Sequence, residues 1–224
     1  MDERYSRNLG AITKEEIKML RTKNVCVVGC GGIGGYVIEL IARLGIGSLT
    51  VVDGDSFVLS NLNRQLLSTE AYIGMPKAQA ACERVNSINS EVTVNAVPYF
   101  ITADNAESIL RRHDVVMDAL DSVASRRIVA GACERLGIPF VHGAISGWYA
   151  QIAVIFPGSG CLEKIYPGAL TEKEPPSSLS FTPALAASIQ TAEAVKVLLN
   201  KEVSLQSKLL VVDLLAQEYN TILL

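Results

Sequence analysis

The run VVGCGGIGGYVIELIARLGIGSLTVVDGDSFVLSNLNRQ, residues 27–65, decides the fold. An apolar strand leads into glycines, a helix and a second apolar strand that stops at Asp53. Gly29, Gly31 and Gly34 satisfy G-x-G-x-x-G, with Gly32 and Gly35 added. Glycine permits a tight turn and close approach of backbone to phosphate, and the helix that follows offers free N–H groups and the positive end of its dipole. Asp53 stands where a carboxylate accepts ribose hydroxyls. Close helix–sheet packing is the competing explanation for some of these glycines, but a strand before and a helix after give the loop the context that nucleotide binding needs. NAD, FAD and ATP all fit this much. The polar tail Asn61-Leu62-Asn63-Arg64-Gln65 fits less evenly, because a nicotinamide enzyme has no evident need of it.

Outward from this unit, residues 12–21 read as a short amphipathic helix capped by Thr13, with Glu16 three places on. Residues 24–29 form a continuous apolar run, as a strand covered on both faces requires. Helix 31–44 and strand 48–53 complete the first unit. A helix over 75–89, strand 92–100, helix 103–112, strand 114–120, helix 123–136 and strand 138–144 follow. This alternation predicts a Rossmann-like, doubly wound, mainly parallel sheet. After Gly147 the pattern changes. Residues 148–156 alternate, 157–180 are rich in Pro, Gly, Ser and Lys, a helix starts at Thr182-Pro183 and runs to Asn200, and 208–224 read as a hairpin. These last strands extend the sheet in antiparallel sense. The segment 157–181 reads as a long mobile loop, and loops of that length are usually functional or disordered. No linker or repeat divides residues 1–224, so one domain is expected, with residues 1–22 as a helical arm.

The bulk numbers exclude several classes. The 224 residues carry 20 basic and 23 acidic side chains, a net charge of -3, and show no basic stripe for nucleic acid and no polybasic run for a membrane surface. No apolar run reaches the ~20 residues of a membrane span. Five irregularly spaced cysteines, Cys26, Cys30, Cys82, Cys133 and Cys161, read as reduced thiols, and the charged opening MDERYSRNLG lacks a secretory h-region, so a cytoplasmic protein is expected. Only two histidines exist. His113, between arginines and Asp114, is expected on the surface; His142 ends a strand within reach of a cleft. No Ser-His-Asp order, His cluster or Cys-x-x-Cys pair supports a triad or a zinc site.

Further polar pieces share a theme. NLNRQ brings Arg64, GMPKAQ brings Lys77 at a helix start, MDALDSVASR brings Asp118, Asp121 and Arg126 after a strand, and RYSR brings Arg4 and Arg7. In an open α/β sheet, ligands sit outside the carboxyl ends of the strands, where the glycine loop, Asp53, Asp121 and His142 all fall. Cations neutralise the outer phosphates of a triphosphate, and a carboxylate holds the magnesium that bridges their oxygens. Hydride chemistry needs none of this.

RYSRNLG, VVGCGGIGG, VVDGDSFVLSNLNRQLL, GMPKAQA, DALDSVASR, VHGAISGWYAQI and TAEAVKVLL, in this order from residue 4 to about 200, resemble the ThiF/MoeB/HesA family, relatives of the ubiquitin-activating enzymes. The resemblance implies a homodimer that uses ATP and Mg²⁺ to adenylate the C-terminal glycine of a small β-grasp sulfur carrier ending in Gly-Gly, releasing pyrophosphate. It implies a nucleotide loop at Gly29, Gly31, Gly32 and Gly34, with Asp53 on the ribose and Asp55 beside it. Asn61, Arg64, Gln65 and Lys77 would line the phosphates, Asp121 would hold magnesium, and Arg7 would be donated across the dimer. Asp121, Arg64, Lys77 and Arg7 are thus the expected catalytic residues.

The chain also departs from the family. Many members carry two Cys-x-x-Cys zinc pairs; here the first place reads GCLEKIYPG, with Lys164 opposite the second cysteine, and the later pair is missing, so no zinc is expected. ALTEKEPPSSLS has no cysteine to receive an activated carrier, so sulfur is expected from a separate donor. Ser122 replaces a common family Asn. Other readings are ATP activation of a different peptide or of a modified tRNA, an NAD or FAD oxidoreductase, and a non-catalytic scaffold. Thiamine, molybdenum cofactor and other thiolated products are all compatible with the chemistry.

Overall fold

The architecture comes from a computed structural model that describes residues 3–168 and 177–224. Eight strands form one sheet: β1 Asn24–Val28, β2 Ser48–Val52, β3 Thr93–Val97, β4 Val115–Asp118, β5 Phe140–Ser146, β6 Tyr149–Ile155, β7 Lys208–Asp213 and β8 Glu218–Leu223. The helices are α1 Lys14–Leu20, α2 Gly32–Leu44, α3 Lys77–Ile88, α4 Ala106–Leu110, α5 Val123–Leu136, α6 Cys161–Ile165 and α7 Phe181–Leu198. The strand order is β3-β2-β1-β4-β5-β6-β7-β8. The first five strands are parallel and each remaining neighbour is antiparallel, as the sequence pattern predicts.

Burial explains the layers. β1 and β4 are apolar on both faces because helices cover both. One core holds Val25, Val27, Val37, Ile41, Leu49, Met117, Ile152 and Leu198, packed with α2, α3 and α7. The other holds Cys26, Val28, Val116, Val129, Cys133, Phe140 and Leu162, packed with α4, α5 and α6. Each fully buried Val, Leu or Ile contributes about 1.5–3 kcal/mol relative to exposure. The Thr13 cap forms as expected: its hydroxyl accepts from Glu16 N at 3.1 Å, and Glu16 Oε2 accepts from Thr13 N at 2.7 Å.

Register fixes the functional edge. Val28 pairs with both Val52 and Asp118, so β1, β2 and β4 end in one row. Gly29 N donates to Val52 O at 2.8 Å and Ala119 N to Val28 O at 2.9 Å, carrying that row one residue further. The strand order reverses at β1/β4, the switch point where open sheets form a crevice.

Differences from the sequence reading have physical causes. β3 stops at Val97, just before Pro98. β5 runs to Ser146 because β6 pairs with it up to Ser146–Tyr149. Within 157–181, Cys161–Ile165 is a helical turn rather than irregular chain, pinned by burial of Cys161 and Leu162 in the second core; residues 169–176 lie outside the described residues. His113 is half-buried rather than on the surface. Its Nδ1–H donates to Leu110 O at 2.8 Å, so Nε2 accepts from Thr50 Oγ1 at 2.9 Å. No described helix is long and apolar enough to cross a membrane.

Candidate active site

The row of strand ends opens into a cavity of about 600 Å³, within the usual ~300–1,000 Å³ of small-molecule sites. Its first wall is the glycine turn. Gly29 sits at φ +99, a conformation that suits glycine, and a Cβ there would lie 2.4 Å from Ala119 O. Gly34 serves packing instead: a Cβ would lie 1.8 Å from Gly29 O, and Gly34 does not line the cavity. Gly31 and Gly32 do line it. Gly31 is the N-cap of α2 and supplies no side-chain cap, so the first amides of a 13-residue helix are left to a ligand.

Asp53 is held from both sides. Its Oδ2 accepts from Cys30 N at 2.7 Å and its Oδ1 from Asp55 N at 2.8 Å. Burial raises its carboxyl pKa above the ordinary value, against the pull of these amides and of Lys77. Lys77 opens α3 and is buried; its Nζ reaches Asp55 Oδ2 at 3.1 Å while its amide donates to Asp55 O at 2.8 Å. Arg64 is aimed by two bonds from Nη1, to Ser60 O at 2.9 Å and Asn63 Oδ1 at 2.8 Å. Gln65 is buried beside Gly31, and its Oε1 has no hydrogen-bond partner among the described residues. A buried orphan carbonyl on a cavity wall points to a ligand.

Asp121 follows β4, lines the cavity and is exposed, with no hydrogen bond or ion pair among the described residues. One free carboxylate on the cavity wall matches the way Mg²⁺ is held, through one or two carboxylates plus phosphate oxygens. The donor set therefore fits magnesium. Among the described residues, no group of three or more His, Cys, Asp or Glu could hold a metal. Cys161 is 1 % exposed, inside the second core.

The structure thus gathers Gly29, Gly31, Gly32, Asp53, Asp55, Arg64, Gln65, Lys77 and Asp121 around one cavity. It does not bring Asn61, Gly34 or Arg7 there. Asn61 is buried and its Oδ1 accepts from Val58 N at 3.1 Å, which ties the turn that precedes Arg64. Arg7 is exposed on the 3₁₀ turn Glu3–Asn8. That turn is anchored by Tyr5 against Gly45 and Asn89, at the opposite edge of the sheet from the cavity. His142 lies behind the wall, fully buried against Asp118. Sequence reasoning missed Phe100, Tyr149, Gln151, Tyr166 and Ser178, which also line the cavity. Phe100 packs on Gly54, where a Cβ would lie 2.7 Å from its ring, and only that missing side chain hinted at it.

Fold and site define a class: an open α/β protein whose switch-point cavity is lined by the cations Arg64, Lys77 and Arg126 and by the carboxylate of Asp121, unpartnered among the described residues. The chain belongs to the ThiF family, whose model matches residues 5–224. It is 32% identical over 227 residues to the SAMP-activating enzyme E1 of Haloferax volcanii, across 98% of this chain and 84% of that protein. It is 36% identical over 230 residues to the sulfur carrier protein adenylyltransferase of Thermus thermophilus, across 97% and 85%. A crystal structure of E. coli MccB with MccA-N7isoASN matches with a TM-score of 0.90 at 22% identity, covering 100% of this chain and 72% of that one, a likeness of fold.

Proposed function

We propose that this protein uses ATP to adenylate the C-terminal carboxylate of a small sulfur-carrier protein. The observation that carries this reading is the single cavity shared by the uncapped α2 amides, Asp53, Arg64, Lys77 and Asp121. The cavity continues past them along Ala144, Ile145, Ser146, Ala150 and Val211, leaving room for an extended tail. A carboxylate attacking an α-phosphate is an encounter of two anions. Lys77 and Arg64 screen that repulsion and stabilise the charge of departing pyrophosphate. Asp53 orients the ribose, and its locked geometry holds the α-phosphate in line with the tail. Asp121 would hold Mg²⁺, which would supply charge neutralisation for the phosphates. The carboxylate brings its own electrons, so no protein nucleophile is used.

The carrier is a β-grasp protein ending in Gly-Gly, of the kind that serves thiamine or molybdopterin-type sulfur transfer, and sulfur comes from a separate donor. Arg7, placed far from its own cavity, acts in the site of a partner protomer. The test is pyrophosphate exchange into ATP, measured with a panel of Gly-Gly-ended β-grasp proteins and with tRNA. Carrier-dependent exchange that Asp121→Ala abolishes is expected. Exchange that responds only to tRNA, or tight NADH binding with none to Mg-ATP, would overturn the reading.

A further inference from the structure

Five side chains form a connected chain under the β5–β6 end of the cavity. Asp118, at the end of β4, is fully buried. Its Oδ1 accepts from Leu120 N at 3.0 Å, and its Oδ2 accepts from Arg126 Nε at 3.1 Å and from His142 Nδ1 at 2.6 Å. A carboxylate only accepts, so the His142 proton sits on Nδ1 and Nε2 is left as an acceptor. Nε2 faces the Tyr166 hydroxyl at 3.3 Å. Gln151 Nε2 donates to that hydroxyl at 2.6 Å and lies 3.4 Å from His142 Nε2, so the three groups meet at one point. The Tyr166 ring meets His142 edge-on, with centroids 5.6 Å apart, and the Arg126 guanidinium lies over it at 5.7 Å. Gln190 from α7 ties the strands together by donating to Asp118 O at 2.9 Å and Val141 O at 3.0 Å. Tyr166, Gln151 and Arg126 line the cavity; Asp118 and His142 stand behind them.

Adenylation makes no use of this chain, because an attacking carboxylate has no proton to lose. A buried imidazole acceptor, oriented by a carboxylate and linked to the cavity by a hydroxyl, is suited to removing one. Its place agrees. Tyr166 lines the same cavity as Asp53 and Asp121, at its β5–β6 end, beside His142 of β5 and Gln151 of β6.

We propose that Tyr166, His142 and Asp118 form a proton relay for a second step in this cavity, the attack of a protonated thiol or amine on the carbonyl carbon of the acyl adenylate. This rests on the adenylation reading above for its natural substrate. The sulfur or nitrogen bonds to the carbonyl carbon, and the carbon–oxygen bond to AMP breaks, its electron pair leaving with AMP. The nucleophile's proton passes to Tyr166 Oη as the Tyr166 proton passes to His142 Nε2. Asp118 stabilises the imidazolium, which then returns a proton to Tyr166 as Tyr166 releases one to solvent. Tyr166 touches the reactants; His142 and Asp118 are positioning residues that act through it.

The test presents the full chain with synthetic N-acetyl-Gly-Gly adenylate, so that it does not depend on ATP activation, and follows AMP release and acyl product. Cysteamine serves as a nucleophile that must lose a proton, thioacetate as one that is already an anion. The native chain accelerates both reactions. Tyr166→Phe removes only the hydroxyl and lowers the cysteamine rate by about 10²-fold, leaving the thioacetate rate within about twofold. His142→Gln, checked by melting temperature for folding, reproduces the cysteamine loss and flattens the pH profile. Among the described residues, the groups facing His142 are Asp118, Arg126, Gln151 and Tyr166, and of these Asp118 and Arg126 are the charged ones. Equal slowing of both nucleophiles by Tyr166→Phe marks a structural role and overturns the relay, as does a native chain that accelerates neither. A Tyr166-dependent cysteamine rate in a protein without ATP exchange would sink the adenylation reading and leave the relay standing.

Discussion

Gly34 and Gly32 belong to the same glycine-rich turn, and the structure gives them opposite work. A methyl group at Gly34 would lie 1.8 Å from Gly29 O, 2.7 Å from Gly29 C and 3.1 Å from the Ala119 Cβ. The first two are backbone atoms of a turn already tied to β2 through Gly29 N–Val52 O, so relief requires α2 to lift from the sheet by about 1 Å. Overpacking a core costs about 1–3 kcal/mol when side chains can adjust, and backbone adjusts less readily, so Gly34→Ala is expected at about 3 kcal/mol or more. For a domain of this length that lowers the melting temperature by roughly 6–12 °C. At Gly32 the nearest atoms to a Cβ are Pro183 Cβ at 3.6 Å and Cγ at 3.8 Å, ordinary contacts. Gly32→Ala is therefore expected within about 1 kcal/mol of the native chain, on the stable side, since alanine at a compatible helical position restricts the unfolded chain. Thermal unfolding with and without Mg-ATP measures both effects. Gly34→Ala loses the stabilisation by nucleotide together with its own stability, because the displaced turn carries the amides. If Gly34→Ala melts like the native chain, or Gly32→Ala is the more damaged of the two, the division of the turn into packing and ligand-facing glycines is wrong.

Three further outcomes are expected. Arg64→Ala and Lys77→Ala each lower pyrophosphate exchange by about 10²–10³-fold, the loss typical of one preorganised donor to developing charge. His113 is held below its ordinary pKa of 6.5 by burial, against a raising hydrogen bond to Leu110 O and the charge of Asp114. The unfolded chain therefore binds a proton that the folded chain refuses, so stability falls as pH drops below about 6.5, and His113→Gln shallows that fall in melts between pH 7 and 5. Mixed assemblies of Arg7→Ala and Asp121→Ala chains recover exchange that neither has alone if Arg7 acts across a dimer; recovery absent from a verified mixed dimer refutes that role.

The parallel half of the fold was readable because its signals are local. The NVCVV and SLTVV runs, the glycine turn and Asp53 occupy one short unit, and strand register then places their ends in a row. Lys77 and Asp121 were legible for the same reason, one opening α3 and the other following β4 at that edge, while Arg64 stands on the long loop after β2. Tyr166 and Gln151 were not found, because what makes them neighbours is a tertiary event. Cys161 and Leu162 bury in the second core, a helical turn forms in a stretch whose composition reads as loop, and Tyr166 is swung under β5 and β6. Gly143 shows the same limit. A Cβ there would lie 2.3 Å from the Gln190 carboxamide, so its lack of a side chain serves a helix 47 residues away, which no local pattern reveals.

The two halves of the sheet also account for the shape of the cavity. Parallel strands all end at the same edge, so β1, β2 and β4 can present a glycine turn and two carboxylates only there. Antiparallel β5 and β6 instead run past that edge as a hairpin, whose tip at Gly147 accepts from Thr182 Oγ1 at 2.8 Å and donates its amide to Ser177 O at 2.7 Å. The hairpin thus holds the described chain on the far side of residues 169–176 against the cavity wall, with Ser178 lining it. A protein that only bound nucleotide would need the parallel half. The overhanging antiparallel half adds backbone edges and small side chains, Ala144, Ser146 and Ala150, to the wall of the same cavity. Under the proposed function an extended peptide end lies along that wall, where small side chains leave it room.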